Sequence, residues 1–258
     1  MLSIEIPVTH GKYIKTVLDS IFSQKGDFEV IMVTPRPEIV NGYDVKVVKA
    51  DTGLLNARYL AHENSNGEYE LILDETRYLS QNAIKLLSQN HDMLIVGEDE
   101  VGNSFLDRMA NLDKKVIMEC NNIVDPLRGY LLPRLFKREV LDYAFDNLRK
   151  KIPKEIFERI VHPDHQLIFY EAFNHSKDVG IVREVLIRHF GDSSLFNVMK
   201  KYYRYGKTHK LLRETPYNEL LNVGRRKRDL CSVSLKEKIG LYTLYAVRGI
   251  PFLLGLYL

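Results

Sequence analysis

Leu71-Ile72-Leu73 is an uninterrupted apolar run that ends in Asp74-Glu75, and few folds accommodate that combination. A run apolar at every position lacks the alternation of a half-solvated strand, and it predicts a strand buried on both faces of an α/β sheet. Ligands of open α/β sheets collect at the carboxyl ends of such strands, which places Asp74 and Glu75 where chemistry is usually done. Hard carboxylate oxygens there suit a divalent cation and, through it, a phosphate. Asp74 as the cap of a following helix is the other reading of the same residues.

The flanking sequence extends the pattern. Leu2, Ile4 and Ile6 alternate up to Pro7 and predict a first strand, while Tyr13/Ile14, Val17/Leu18 and Ile21/Phe22 recur at helical spacing. Residues 28–33 predict a second strand, halted by Thr34-Pro35-Arg36-Pro37, and residues 45–48 a third. A helix over residues 54–64 precedes the central apolar run; Ile84, Leu86 and Leu87 mark another helix, and residues 93–96 a short strand. Strands separated by helices argue for a mainly parallel sheet flanked by helices on both faces. From about Ser194 the character changes. Leu195, Phe196, Met199, Tyr202 and Tyr203 form one helical stripe beside Lys200, Lys201 and Arg204; the basic run Gly224-Arg-Arg-Lys-Arg228 and the almost wholly apolar residues 239–258 follow. The chain therefore divides into an α/β domain, residues 1–193, and a helical C-terminal extension, residues 194–258.

With 258 residues, 45% of them hydrophobic, the chain can bury a substantial core, and a net charge of +3 does not demand a nucleic-acid partner. The two cysteines, Cys120 and Cys231, lack metal-ligand spacing and cannot make a disulfide framework, which predicts a reducing compartment. The N-terminus runs straight into a strand pattern without a signal peptide, so a cytoplasmic protein is expected.

Five segments together carry a resemblance. They are Ser3-Ile-Glu-Ile-Pro7-Val8-Thr9 with Lys12-Tyr13-Ile14; Gly53, Ala57-Arg58 and Gly67-Glu68-Tyr69; Leu73-Asp74-Glu75-Thr76; Pro163-Asp164-His165-Gln166-Leu167; and His189 followed by Tyr202-Tyr-Arg-Tyr-Gly206-Lys207. In order and spacing the chain resembles a family 2 glycosyltransferase over most of residues 3–207. That resemblance implies a GT-A type nucleotide-diphospho-sugar transferase fold and an inverting transfer from a nucleoside-diphosphate sugar to an acceptor hydroxyl. It implies that Asp74, with Glu75 in support and Thr76 and His189 as further ligands, holds magnesium or manganese on the donor's diphosphate. It makes Asp164 the general base, sets Pro7, Val8 and Thr9 along the nucleotide base, and turns Arg58 and Lys207 toward the diphosphate. Three positions depart from the family's pattern: Thr76 replaces a second aspartate, Pro163 a glutamate, and Thr34-Pro35-Arg36-Pro37 the acidic residues that hold the base or ribose.

Residues 239–258 are about long enough to cross a bilayer, which takes ~20 apolar residues, but Gly240, Arg248, Gly249, Pro251 and Gly255 interrupt them. A hairpin or broken helix, docked on the domain or lying in the interface, is expected instead. With residues 225–228 drawn to anionic headgroups, this suggests a peripheral protein on the cytoplasmic face of a membrane and a saccharide or lipid-linked acceptor. Other readings stay open. A polyprenyl-phosphate sugar synthase belongs to the same superfamily, and the departures also suit a non-catalytic module that binds a nucleotide or a partner. Lys200-Lys-Tyr-Tyr-Arg-Tyr could stack bases, but the helical spacing of its aromatics favours core packing, so no nucleic-acid partner is expected. The absence of Trp excludes the tryptophan-bearing motif of processive polysaccharide synthases.

Overall fold

The computed structural model describes residues 1–40, 42–87, 90–192, 194–221, 228–231 and 233–258. In chain order the elements are β1 (Leu2–Pro7), α1 (Ile14–Phe22), β2 (Phe28–Thr34), β3 (Lys46–Lys49), α2 (Leu54–Glu63), β4 (Tyr69–Ile72), β5 (Arg77–Leu79) and α3 (Ala83–Leu86). They continue with β6 (Met93–Val101), α4 (Phe105–Cys120), β7 (Leu135–Lys137), α5 (Arg138–Lys151), α6 (Lys154–Phe157), α7 (Asp164–His175), β8 (Val179–Phe190), α8 (Leu195–Lys210) and α9 (Leu235–Tyr257). The strands make one eight-stranded sheet in the order β3-β2-β1-β4-β7-β6-β8-β5. Pairs β1–β2, β1–β4, β2–β3 and β6–β8 are parallel, whereas β4–β7, β6–β7 and β5–β8 are antiparallel.

The run at residues 71–73 is buried on both faces, as its composition requires. Leu71 packs with Leu2, Ile4 and Ile6 of β1 against Val17, Leu18 and Ile21 of α1. Ile72 turns to the opposite face and joins Phe136, with Val140, Leu141 and Phe145 of α5 and Leu167 and Phe169 of α7. Period-2 alternation thus sends successive side chains of one strand into two separate cores. The strand predicted at residues 93–96 continues to Val101 and carries Glu98, Asp99 and Glu100 toward the sheet's edge. Between it and α7 lie α4, β7, α5 and α6, a stretch for which sequence periodicity supplied no element. Helix α4 begins at a capping box, Ser104 accepting from the Asp107 backbone N–H while the Asp107 carboxylate accepts from the Ser104 N–H.

The C-terminal end corrects two expectations. Residues 235–257 form one continuous helix of 23 residues rather than a hairpin or broken helix. Its glycines serve packing: a Cβ on Gly255 would lie 2.1 Å from the Tyr203 carbonyl oxygen, and one on Gly206 2.1 Å from that of Phe252. Helices α8 and α9 therefore cross at backbone contact. Arg248, the charge within the apolar stretch, faces Asp113 of α4 with Nη1 3.4 Å from Oδ2. Asp113 also accepts from the Tyr245 hydroxyl at 2.8 Å and from Arg228. Of the basic run, Arg225, Arg226 and Lys227 lie outside the described residues, and Arg228 is committed to this ion pair instead of facing a lipid headgroup.

The second correction concerns the cysteines. Cys120, at the end of α4, is disulfide-bonded to Cys231, just ahead of α9. The expectation of a reducing compartment rested on two cysteines being too few for a disulfide framework, yet they form one bond across 111 residues of sequence. Docking of α9 on α4 removes that distance in space.

Candidate active site

A cavity of about 700 Å³ opens at the carboxyl end of the parallel strands. The end of β1 (Pro7, Thr9), the turn after β4 (Asp74, Glu75, Thr76), Arg77 of β5, Glu100 of β6 and His189 of β8 supply its floor. Arg58 of α2 and Asp164 and His165 of α7 form one wall; Lys114 of α4, Lys201, Arg204 and Tyr205 of α8 and Arg248 of α9 form the opposite one. Pro7, Val8 and Thr9 also border a smaller hollow of about 30 Å³, with Val33, Pro35, Asp51 and Thr52 around it. Asp51 is the acidic residue beside it.

The acidic turn is held by its own neighbours. Asp74 Oδ1 accepts from the Thr76 backbone N–H at 3.0 Å and from the Thr76 hydroxyl at 2.6 Å, while Oδ2 is ion-paired with Arg77. Burial alone would raise Asp74, but Arg77, His189, the Thr76 hydrogen bond and Arg134 together outweigh it and hold the carboxyl well below the usual carboxylate range. Glu75 turns away and accepts from the backbone N–H groups of His10, at 2.9 Å, and Gly11. It thereby fixes the β1–α1 loop at the cavity floor.

Strand register aligns a second row of charges. Arg77 lies opposite His189 across β5–β8, and His189 opposite Glu100 across β8–β6. His189 Nδ1 is 2.8 Å from Glu100 Oε2, and Lys114 Nζ is 2.8 Å from the same oxygen. Burial, then Arg77, lowers His189 to about 4, so at neutral pH it donates Nδ1–H to Glu100 and keeps its lone pair on Nε2. Burial would raise Glu100, but His189 and Lys114 bring it down to about 2. Glu98 pairs with Arg134 and, at 3.3 Å, with Arg77. Arg134 Nη1 donates to His165 Nδ1 at 3.2 Å, and His165 Nε2–H donates to the Pro133 carbonyl.

Asp164 opens α7 at its first helical position, with Pro163 as N-cap, so it does not cap the helix through its side chain. Its Oδ2 accepts from Arg58 Nε at 2.6 Å, and Arg58 Nη1 donates to the Leu73 carbonyl at 2.9 Å. Both partners are buried. Among the described residues Oδ1 accepts no hydrogen bond. Lys207 is on α8 but not at the cavity: its Nζ lies 5.1 Å from the centroid of the Tyr203 ring. Arg204, three residues earlier, lines the cavity and makes no ion pair among the described residues. His162 lines the cavity with its ring stacked on Tyr205 at 4.8 Å between centroids.

A cation on a diphosphate uses one or two protein ligands, with phosphate oxygens and water filling the rest. Asp74 and His189 Nε2 fit that role, the latter with its other nitrogen held by a carboxylate as in metal-bound imidazoles. Thr76 lines the same cavity, and its hydroxyl donates to Asp74 while its oxygen lone pairs stay available. The charged groups missed by sequence reasoning are Arg77, Glu98, Glu100, Lys114 and Arg134. Glu98 and Glu100 were detectable: the rule that singled out Asp74, carboxylates after an apolar strand, applies equally to Gly97-Glu98-Asp99-Glu100.

No protein-family model and no curated protein matches the sequence. Among solved structures, the chain is similar to S. aureus TarS, with 16% identity and a TM-score of 0.57 over 97% of this chain and 49% of that one. It therefore spans about half of that protein. It is also similar to TarS 1–349 in complex with UDP-GlcNAc, with 15% identity and a TM-score of 0.55 over 98% of this chain and 83% of that one. The mannosyltransferase PcManGT from Pyrobaculum calidifontis, in complex with GDP-Man and Mn2+, shares 15% identity and a TM-score of 0.51 over 95% of this chain and 73% of that one. The fold is that of GT-A-like glycosyltransferases.

Proposed function

We propose that this protein is a glycosyltransferase that moves a sugar from a nucleoside-diphosphate sugar to an acceptor hydroxyl with inversion at the anomeric carbon. The observation that carries the reading is one cavity of about 700 Å³ lined by Asp74, Arg77, Arg204 and Asp164. The nucleotide base lies along Pro7, Val8 and Thr9 at the end of β1. The diphosphate meets Arg77, which exchanges its pairing with Asp74 for phosphate oxygens, and Arg204, whose guanidinium is uncommitted. Asp74 and His189 would hold a magnesium or manganese ion, which would supply charge neutralisation for the departing diphosphate. Asp164 Oδ1 accepts the proton of the acceptor hydroxyl, whose oxygen bonds to the anomeric carbon as the carbon–oxygen bond to the diphosphate breaks. Arg58 holds the other oxygen of Asp164 and so aims Oδ1 at the acceptor.

Residues 194–258 act as an extension that closes the donor cavity and meets the membrane. Ile239, Tyr242, Ile250, Leu253 and Leu254 of α9 and Phe196 of α8 are exposed apolar side chains. Helix α9 is long and apolar enough to cross a membrane, yet a third of its apolar window is buried in this fold, which suits lying on a surface better than spanning one. A lipid-linked saccharide at the membrane surface is the acceptor class this arrangement favours. Flotation with anionic liposomes tests it: wild type should float and Ile250→Asp/Leu254→Asp should not, and a wild type that stays behind removes the membrane reading.

A second reading has its own observation. Asp164 is ion-paired and both oxygens of Asp74 are engaged, as in a binding module that has lost turnover. Thermal shift with nucleoside diphosphates and their sugars, with and without manganese, separates the cases when combined with product analysis. A transferase should bind one donor class, lose that binding in Asp74→Ala, and keep binding but lose roughly 100- to 10,000-fold in turnover in Asp164→Asn. Binding without turnover in wild type establishes the module instead.

A further inference from the structure

On the sheet face beneath α2 lies a polar cluster that sugar transfer does not use. Glu5 of β1 and Glu70 of β4 are each 0% exposed, inside strands whose other residues are almost all apolar. Parallel register sets Ser3 opposite Glu70 and Glu5 opposite Ile72, so the two glutamates stand on one face of adjacent strands, two residues out of step. His62, one turn after Arg58 on α2, is buried against them, with Nδ1 3.0 Å from each oxygen of Glu70. Its Nε2 is 3.0 Å from Asp142 Oδ1. Arg138 Nη1 donates to Glu70 Oε1 at 3.2 Å. Glu5 differs from the rest: both of its oxygens are wholly buried, and among the described residues neither has a hydrogen-bond donor. One ligand atom each from Glu5, His62 and Glu70 fit within 4.8 Å of one another.

Two carboxylates facing each other out of water require something positive between them. A proton can join one Glu5 oxygen to Glu70, but the other buried oxygen then stays without a partner, at roughly 1–3 kcal/mol. A divalent cation serves both carboxylates. It also closes the local charge, because with Arg138 it offsets Glu5, Glu70 and Asp142. Metal-bound imidazoles characteristically hold their second nitrogen on a carboxylate, and His62 does so on Asp142. Two carboxylates and one imidazole are a donor set that zinc accepts. We infer that Glu5, His62 and Glu70 bind a zinc ion in the core, separate from the transfer site. Asp142, whose side chain is 57% exposed, marks the way in from solvent. The ion ties β1 and β4 to α2, the helix that carries Arg58.

Metal analysis of the full chain purified without chelator tests this, on wild type, Glu5→Gln, His62→Gln and Asp74→Ala. About one zinc per chain is expected in wild type and in Asp74→Ala, and less than about a tenth of that in the other two. After removal of metal, zinc chloride should raise the melting temperature of wild type and Asp74→Ala but leave Glu5→Gln unmoved. Glu5→Gln keeps a donor facing Glu70, so it should fold in either case. Wild type that takes up no zinc on titration, and melts no higher than Glu5→Gln, would overturn the inference and leave a bridging proton in its place.

Discussion

At the scale of the residue, the Arg58–Asp164 pair decides most. It is buried, and removing one partner strands the other charge out of water. Arg58→Ala should therefore lower stability by ~3–5 kcal/mol in denaturant titration. Arg58→Lys retains the charge but cannot hold Asp164 and the Leu73 carbonyl with one planar fork, so it should fold well and turn over slowly. A Lys variant as active as wild type would show that Asp164 needs no aiming. Glu98 gives a pH prediction. Burial would raise it, but Arg134 and then Arg77 hold it well below the usual carboxylate range. A carboxylate depressed in the folded state stabilises the fold above its unfolded pKa, about 4.3, and that contribution is lost as pH falls below it. Stability should thus drop as pH is lowered from about 4.5, and Glu98→Gln should flatten that drop. Parallel acid profiles for the two proteins would refute it.

At the scale of the element, α8 and α9 are joined by two glycines. A methyl group at Gly255 meets the Tyr203 carbonyl, which is backbone and cannot swing aside. Gly255→Ala should force the helices apart and cost about 1–3 kcal/mol by the usual range for overpacking. In an isolated helix the same change would be stabilising, since alanine is the better helix former. The sign of the effect on melting temperature therefore reports whether the crossing exists. This element also shows why sequence reading stops where it does. Gly240, Gly255 and Pro251 look like interruptions in a linear pattern, and the helix continues through them because α4 and α8 supply contacts no linear pattern contains. Arg248 looks like a lone charge until Asp113, 135 residues away in sequence, stands beside it.

At the scale of the whole molecule, the Cys120–Cys231 bond closes a loop over 111 residues of sequence and fastens the C-terminal helix to the α/β body. A crosslink over so long a loop restricts the unfolded chain and is typically worth ~2–4 kcal/mol. Protein purified without reductant should show no free thiol on denaturation, and reduction should lower the melting temperature and loosen α9 in hydrogen exchange. Two titratable thiols in the unreduced protein would instead restore the expectation of a chain suited to a reducing compartment.

What the sequence determined by itself is what local composition dictates. A short run apolar at every position reads as a strand buried on both faces, and the strand–helix alternation of the first hundred residues follows from periods of 2 and 3.6. The carboxylates at the end of that strand were legible for the same reason, because a buried parallel strand delivers its next residues to the ligand-bearing edge. Asp164, Arg58, Asp74, Thr76 and His189 were named from sequence, and the fold gathers them at one cavity. It does not gather Lys207, and it turns Glu75 to the backbone of the β1–α1 loop. Only the tertiary structure decided who pairs with whom. Arg58 meets Asp164 at the cavity wall, Cys120 meets Cys231, and Glu5 faces Glu70 across two strands. Those pairings depend on strand order and helix docking between residues tens to more than a hundred positions apart. Burial strips such charges of water, so their partners, rather than their own side-chain chemistry, set what each can do.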